Sequence, residues 1–132
     1  MTYFADLTPY RYRADVDGSA LNVGWLGAGH DVPQGSVPEG FAGALAELAR
    51  KERVNQTRGW HVCDLAGCPL TGHAVVRWDD MEMVLGSAEI WPVGADGTVY
   101  AAPNLIHHYV VDHGYRPPDE FIAAVLGGGD RS

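Results

Sequence analysis

Two short segments hold both cysteines and four of the six histidines of this chain. The first is His61-Val62-Cys63-Asp64-Leu65-Ala66-Gly67-Cys68-Pro69, which contains both cysteines of the protein within six residues. Thiolate sulfur is a preferred zinc donor, and short loops between paired cysteines are common in small zinc modules. Gly67 and Pro69 help the backbone turn around an ion. If this segment is extended, His61 and Cys63 project to one face and reach one metal together. His73 follows five residues after Cys68. Two competing readings need no ion: the cysteines are small buried hydrophobes, or they form a redox pair. The second segment is His107-His108-Tyr109-Val110-Val111-Asp112-His113, with three histidines in seven residues. On a helix His107 and His108 lie about 100° apart. His113 is nearly one and a half turns beyond His108, so those two share a face poorly. His113 beside Gly114 reads equally well as a C-terminal residue stabilised by the helix dipole. The expected ligand set is therefore Cys63, Cys68, His61 and His108, with zinc as the cofactor and His73, His107 and His113 as further candidates.

Two other residues could serve such a site. Glu89 interrupts the apolar run Ala88-Glu89-Ile90-Trp91. Pointing inward, it needs a partner such as Arg58 or a ligand histidine, and near a metal it can act as a general acid or base. Pointing outward, it is simply the polar half of strand alternation. Arg58, in Asn55-Gln56-Thr57-Arg58-Gly59-Trp60, is a candidate anion-binding residue. The sequence lacks a phosphate-binding Gly-x4-Gly-Lys-Ser/Thr loop, a dinucleotide Gly-x-Gly-x-x-Gly after a strand, a Gly-x-Ser-x-Gly elbow and a His-Glu-x-x-His helix.

These segments sit in a chain whose composition is that of a folded domain. It has 132 residues, 46% hydrophobic and 20% charged, with 17 acidic against 9 basic side chains for a formal charge of -8. That length suits one domain with its own core, 1–132. The acidic balance argues against nucleic acid as a partner, since phosphate contacts need clustered Lys and Arg. No apolar run approaches the length of a membrane span. The N-terminal residues lack the pattern of a secretory signal, so a cytoplasmic location with reduced cysteines is expected.

The elements that must position the two segments follow from pattern. Residues 1–19 carry Tyr3, Phe4, Tyr10 and Tyr12 and read as an arm packed on the domain. Ala20–Trp25 suits a short strand. A helix is expected over 37–52, with Pro38 in its first turn, an apolar stripe of Phe41, Leu45 and Leu48, and Arg50 and Lys51 at its C-terminal end. Thr57–Cys63, His73–Trp78, Glu82–Leu85, Ser87–Pro92 and Thr98–Ala101 read as short strands, with Asp96-Gly97 as a hairpin turn. An antiparallel meander is the simplest topology for them. One helix starts near Pro103-Asn104 and stops at Gly114, and another starts at Pro117-Pro118 with Phe121, Ile122 and Val125 inward. Residues 127–132 read as a frayed tail. The fold class is α+β, with an antiparallel sheet of about four to five short strands and about three helices.

Several stretches together resemble a family of small uncharacterised bacterial proteins catalogued as a domain of unknown function. They are Tyr3-Phe4-Ala5-Asp6-Leu7-Thr8-Pro9-Tyr10, Leu21-Asn22-Val23-Gly24-Trp25-Leu26, Arg58-Gly59-Trp60-His61 through Cys63, Leu85-Gly86-Ser87-Ala88-Glu89-Ile90, and Tyr100-Ala101-Ala102-Pro103 through His108-Tyr109 to Pro117-Pro118. The resemblance covers nearly the whole chain. It implies interest in Cys63, Cys68, His61, Glu89, His108 and His113, but no activity. The family pattern has a closer cysteine pair than the Cys-x4-Cys found here. Three functions remain in view: a zinc-binding domain that recognises a small molecule or protein partner, a zinc enzyme for hydrolysis, deamination or cyclisation with Glu89 as proton shuttle, and a metal-free interaction protein whose acidic surface meets a basic partner.

Overall fold

The computed structural model describes residues 3–10, 20–27, 29–30, 32–51, 63–65, 68, 74–78 and 81–128. His61, Arg58 and His73, and the strand expected over 57–62, lie outside these residues. Among the described residues there are five strands and three helices, an α+β fold: β1 (Leu21–Asn22), α1 (Phe41–Lys51), β2 (Val75–Trp78), β3 (Met81–Val84), β4 (Glu89–Ile90), β5 (Tyr100–Pro103), α2 (Ile106–His113) and α3 (Asp119–Gly128).

The strands do not form one meander. β2 and β3 pair antiparallel as a separate ribbon, while a second sheet has the order β1-β5-β4. In it β5 pairs antiparallel with β4 and parallel with β1, Leu21 opposite Tyr100. The expected turn at Asp96-Gly97 is present: Gly97 has φ +89°, and the N–H of Gly94 donates to the Thr98 carbonyl. All four residues of β5 are buried, as a strand with neighbours on both edges requires. The parallel β1 pairing joins segments nearly eighty residues apart, which local pattern does not encode.

Residues 3–10 run beside β1. The Leu7 N–H donates to the Asn22 carbonyl, the Asn22 N–H to Thr8, and the Tyr10 N–H to Ala20. Tyr10 and Trp25 are buried, and with Ala20 and Ala101 they form a small aromatic core against Phe4, Trp91 and Val99. Glu89 belongs to this region. It is 4% exposed, so strand alternation does not carry it to solvent. Its carboxylate accepts from the Tyr10 hydroxyl at 3.0 and 3.1 Å and from Trp91 Nε1 at 2.9 Å.

The main core lies among the helices and the inner sheet face, with Phe41, Leu45, Leu85, Ile90, Leu105, Ile106, Tyr109 and Phe121 all fully enclosed. Helix α1 packs on α2, α3 and β4. It starts at Phe41 rather than at residue 37 because Gly40 has φ +88°, outside helical space, although its carbonyl already accepts from Ala44 N–H. Helix α3 begins as the Pro117-Pro118 pair indicates, with the Phe121 and Ile122 N–H groups closing on the Pro118 carbonyl.

Candidate metal centre

Helix α2 presents the histidines, and its two ends are fixed by different parts of the chain. At the start, buried Asn104 accepts from the Gly86 N–H through Oδ1 at 2.8 Å and donates its own N–H to Ala88. Ile106 packs against Gly24, where an added Cβ would lie 2.7 Å from Ile106 Cδ1. At the far end Gly114 is left-handed, φ 70°, and the N–H groups of Gly114 and Tyr115 both close on the Tyr109 carbonyl. Asp6 ties this end to the arm. Its Oδ2 accepts from the buried Tyr115 hydroxyl at 2.8 Å while Oδ1 accepts from the Gly24 N–H at 3.0 Å. The strand-like segment around Gln34 adds a bridge to Tyr115.

Against this helix lie the two cysteines. Cys63 Sγ is 3.3 Å from His113 Nε2, and Cys68 Sγ is 3.4 Å from His108 Nε2. One donor atom from each of Cys63, Cys68, His108 and His113 falls within 4.8 Å of the other three. A tetrahedral zinc with bonds of about 2.3 Å to sulfur and about 2.0–2.1 Å to nitrogen has ligand–ligand edges of about 3.3–3.8 Å. The four side chains are therefore close to the spacing of a Cys₂His₂ site. The Leu65 N–H lies 3.5 Å from Cys63 Sγ, and the Cys68 N–H closes on the Leu65 carbonyl at 3.3 Å.

The outer surroundings match the same chemistry. His108 is 2% exposed, and its Nδ1 meets Asp112 Oδ2 at 2.7 Å one helical turn on. A carboxylate on Nδ1 selects the tautomer whose Nε2 lone pair is free, which is the standard outer partner of a metal-bound imidazole. Burial pushes the Cys63 thiol up to about 11, opposed by the Leu65 N–H and reinforced by Cys68 and the charge of Asp64. Burial and the neighbouring His108 hold His113 below the ordinary imidazole range. Without an ion the site thus favours a neutral thiol and a neutral imidazole. The phenol of Tyr109, whose ring lies beside the two histidines, is pushed well up by its burial and then by the charges of Cys63, Asp64 and Cys68.

Of the expected ligands, Cys63, Cys68 and His108 come together here, while His61 lies outside the described residues. His113 takes the fourth place. At about 100° per residue the ideal helix puts positions five apart about 140° from each other. The last turn of α2 is not ideal: Gly114 closes across five residues onto Tyr109, one more than an α-helical turn. His113 nonetheless meets His108, and their ring centroids are 4.9 Å apart. His107 is not part of the four-residue group, nor is Glu89. A cleft of about 290 Å³, lined in part by His30, Gln34, Leu65 and His113, opens beside the site.

A family model described as a domain of unknown function (DUF7919) matches residues 2–126, and the chain belongs to that family. No curated protein and no solved structure matches the chain.

Proposed function

We propose that this member of the family is a zinc-binding domain in which Cys63, Cys68, His108 and His113 enclose one structural ion, and that it acts by binding a small molecule or a protein partner. The observation that carries this reading is the convergence of four zinc-type donors, from segments forty or more residues apart, within 4.8 Å. Two cysteines and two histidines fill a tetrahedral shell, and a filled shell is the mark of a structural site. The ion would join Cys63 and Cys68 to helix α2, contributing its binding free energy to folding. Both cysteines are free thiols, which suits the reducing interior expected from the sequence. The cleft beside His113 is of the size that accepts a small ligand.

The test is metal content of the untagged protein together with thermal melting before and after chelation. One zinc per chain and a large fall in melting temperature on chelation are expected. No bound metal, two reactive thiols and an unchanged melt would overturn the reading, leaving a metal-free interaction protein.

A second reading is favoured by one feature: the cleft meets the site at His113. If His113 yields its position to water or substrate, three ligands remain and the ion becomes a Lewis acid for hydrolysis, deamination or cyclisation. Azide or thiocyanate added to the cobalt-substituted protein distinguishes the two. An altered visible spectrum supports the open site, and an unchanged one supports the closed site. Glu89 is held by Tyr10 and Trp91 in the aromatic core, so a shuttle role for it is tested by Glu89→Gln with the zinc content checked.

A further inference from the structure

Cys63 and Cys68 supply two of the four ligands, and they also lie within reach of each other. Their sulfurs belong to the group whose donor atoms all fall within 4.8 Å of one another, and both are free thiols. A disulfide holds its sulfurs about 2.05 Å apart, and one change of χ1 rotamer carries a cysteine sulfur by roughly 3 Å. The gap to be closed is no larger than one such movement. Four residues separate the two cysteines, so the bond would close a small ring within one segment. The pair is also open to small solutes. Cys63, Cys68 and His113 are partly exposed where His108 is buried, and the cleft lined by Leu65 and His113 opens beside the site. Reactive cysteines are found in such partly exposed settings, whereas fully buried ones are inert.

We propose that Cys63 and Cys68 are an oxidation site for a small hydroperoxide, at which the two sulfurs join as a disulfide and the ion is released. This rests on the zinc reading above. A bound ion keeps both sulfurs as thiolates, the form that attacks a peroxide. One thiolate attacks a peroxide oxygen: an S–O bond forms, the O–O bond breaks, and hydroxide or alkoxide leaves. The second thiolate attacks the sulfenic sulfur so formed, making the S–S bond and expelling hydroxide. The sulfurs lose two electrons, the peroxide gains them, and the two departing oxygen groups take protons from solvent, so hydrogen peroxide yields two waters. A disulfide offers the ion no thiolate. His108 and His113 are then the two of the four ligands that remain, too few for a structural zinc. In the reducing interior expected from the sequence such a bond is transient and is reversed by a dithiol, so loss and recovery of the ion follow the oxidant.

The experiment treats the zinc-loaded full chain with one equivalent of hydrogen peroxide near neutral pH, with an equal amount of glutathione present as a competing thiol. Released zinc is read with a chromophoric chelator. The sulfurs are read by mass spectrometry of the tryptic peptide 59–77, which carries both cysteines of the chain. That peptide is expected to become lighter by two hydrogens ahead of glutathione, whose thiol is mostly protonated at this pH. One zinc should be lost for each disulfide formed, and the melting temperature should fall as it does on chelation. Dithiothreitol with added zinc should restore the mass, the metal and the melt. Four results would overturn the proposal and leave the zinc reading standing: sulfurs that stay reduced while glutathione is consumed, oxygen added to a sulfur without an S–S bond, a cross-linked dimer, or a disulfide formed with the zinc retained. A protein that carries no zinc before peroxide is added would overturn the zinc reading itself, and the release proposed here with it.

Discussion

Asp112 offers the sharpest test of whether the four-residue group is a metal site, because it touches no ion itself. It accepts from His108 Nδ1 at 2.7 Å, and its side chain is 41% exposed where His108 is 2% exposed. Removing it should cost the fold a modest amount, about 1 kcal/mol, since the buried His108 Nδ1 loses its partner while Asp112 itself is half-exposed. It should disturb zinc binding more. Without a carboxylate on Nδ1, the imidazole must give up its preference for the tautomer that leaves Nε2 free. Outer partners of this type are generally worth about 10- to 100-fold in metal affinity. The exposure of Asp112 places the expectation near the lower bound, about tenfold or ~1.4 kcal/mol.

With zinc buffered well above the dissociation constant, a tenfold weaker site loses that same ~1.4 kcal/mol of linked stability. For a domain of this length that is a fall of about 5 °C in melting temperature. Asp112→Ala removes both the charge and the acceptor, whereas Asp112→Asn keeps an acceptor, so alanine should fall further than asparagine. The assay is melting of parent and both variants in buffered zinc and in chelator, with affinity measured by competition against a chromophoric chelator. The difference among the three proteins should be clearly larger in zinc than in chelator, where only the lost hydrogen bond to His108 remains. An equal fall in both conditions would mean that Asp112 acts on the helix. No fall in zinc would mean that His108 is not a ligand.

Other perturbations follow from the same geometry. Zinc binding near pH 7.5 should release the proton of Cys63, whose thiol is raised to about 11. Calorimetry in buffers of different ionisation enthalpy would show this, and heats independent of the buffer would contradict it. For the metal-free protein the sign runs both ways. A thiol raised above its ordinary 9.0 makes stability fall as pH climbs from 9 toward 11, and imidazoles held below 6.5 at His107 and His113 make it fall as pH drops below 6.5. Urea titrations across pH check both flanks, and a flat profile would refute the assignment. Gly24→Ala should destabilise by about 2–4 kcal/mol, because φ is +80° and the new Cβ would meet Ile106 at 2.7 Å. Gly43→Ala on α1, where nothing lies within 4 Å, should instead stabilise by about 0.5–1 kcal/mol in the same denaturation assay. Glu89→Gln should keep its zinc and lose about 1–2 kcal/mol through weakened bonds to Tyr10 and Trp91. Loss of zinc in that variant would tie Glu89 to the metal after all.

How far the site could be read in the chain depended on the range of the physics involved. Cys63 and Cys68 announce themselves by type and proximity, and His108 by lying in a run of three histidines on a helix. The three helices were legible because periodicity, Pro118 and Gly114 are local signals. The parallel seating of β1 on β5 was not, since no residue within a strand of two encodes a partner nearly eighty positions later. Burial of Glu89 was hidden for a related reason. Its companions Tyr10 and Trp91 belong to one compact region only after the arm has folded beside β1.

His113 shows where local reasoning stops most clearly. Uniform helix geometry turns it away from His108, and that argument is sound for an undistorted helix. The departure is set from outside the helix. Gln34 bridges Tyr115, the Tyr115 hydroxyl is held by Asp6, and Asp6 also receives the Gly24 N–H, so the chain beyond α2 is pinned to two other segments. With Tyr115 pinned, Gly114 must reverse the chain within one residue, and the wide closure on Tyr109 is the turn that does so. The fourth ligand therefore depends on Asp6, more than a hundred residues away in sequence. Asp6→Ala should release Tyr115, let the last turn of α2 relax, and weaken zinc binding although Asp6 is no ligand. A parent-like cobalt spectrum and affinity in that variant would show that the turn at Gly114 holds without its distant anchor.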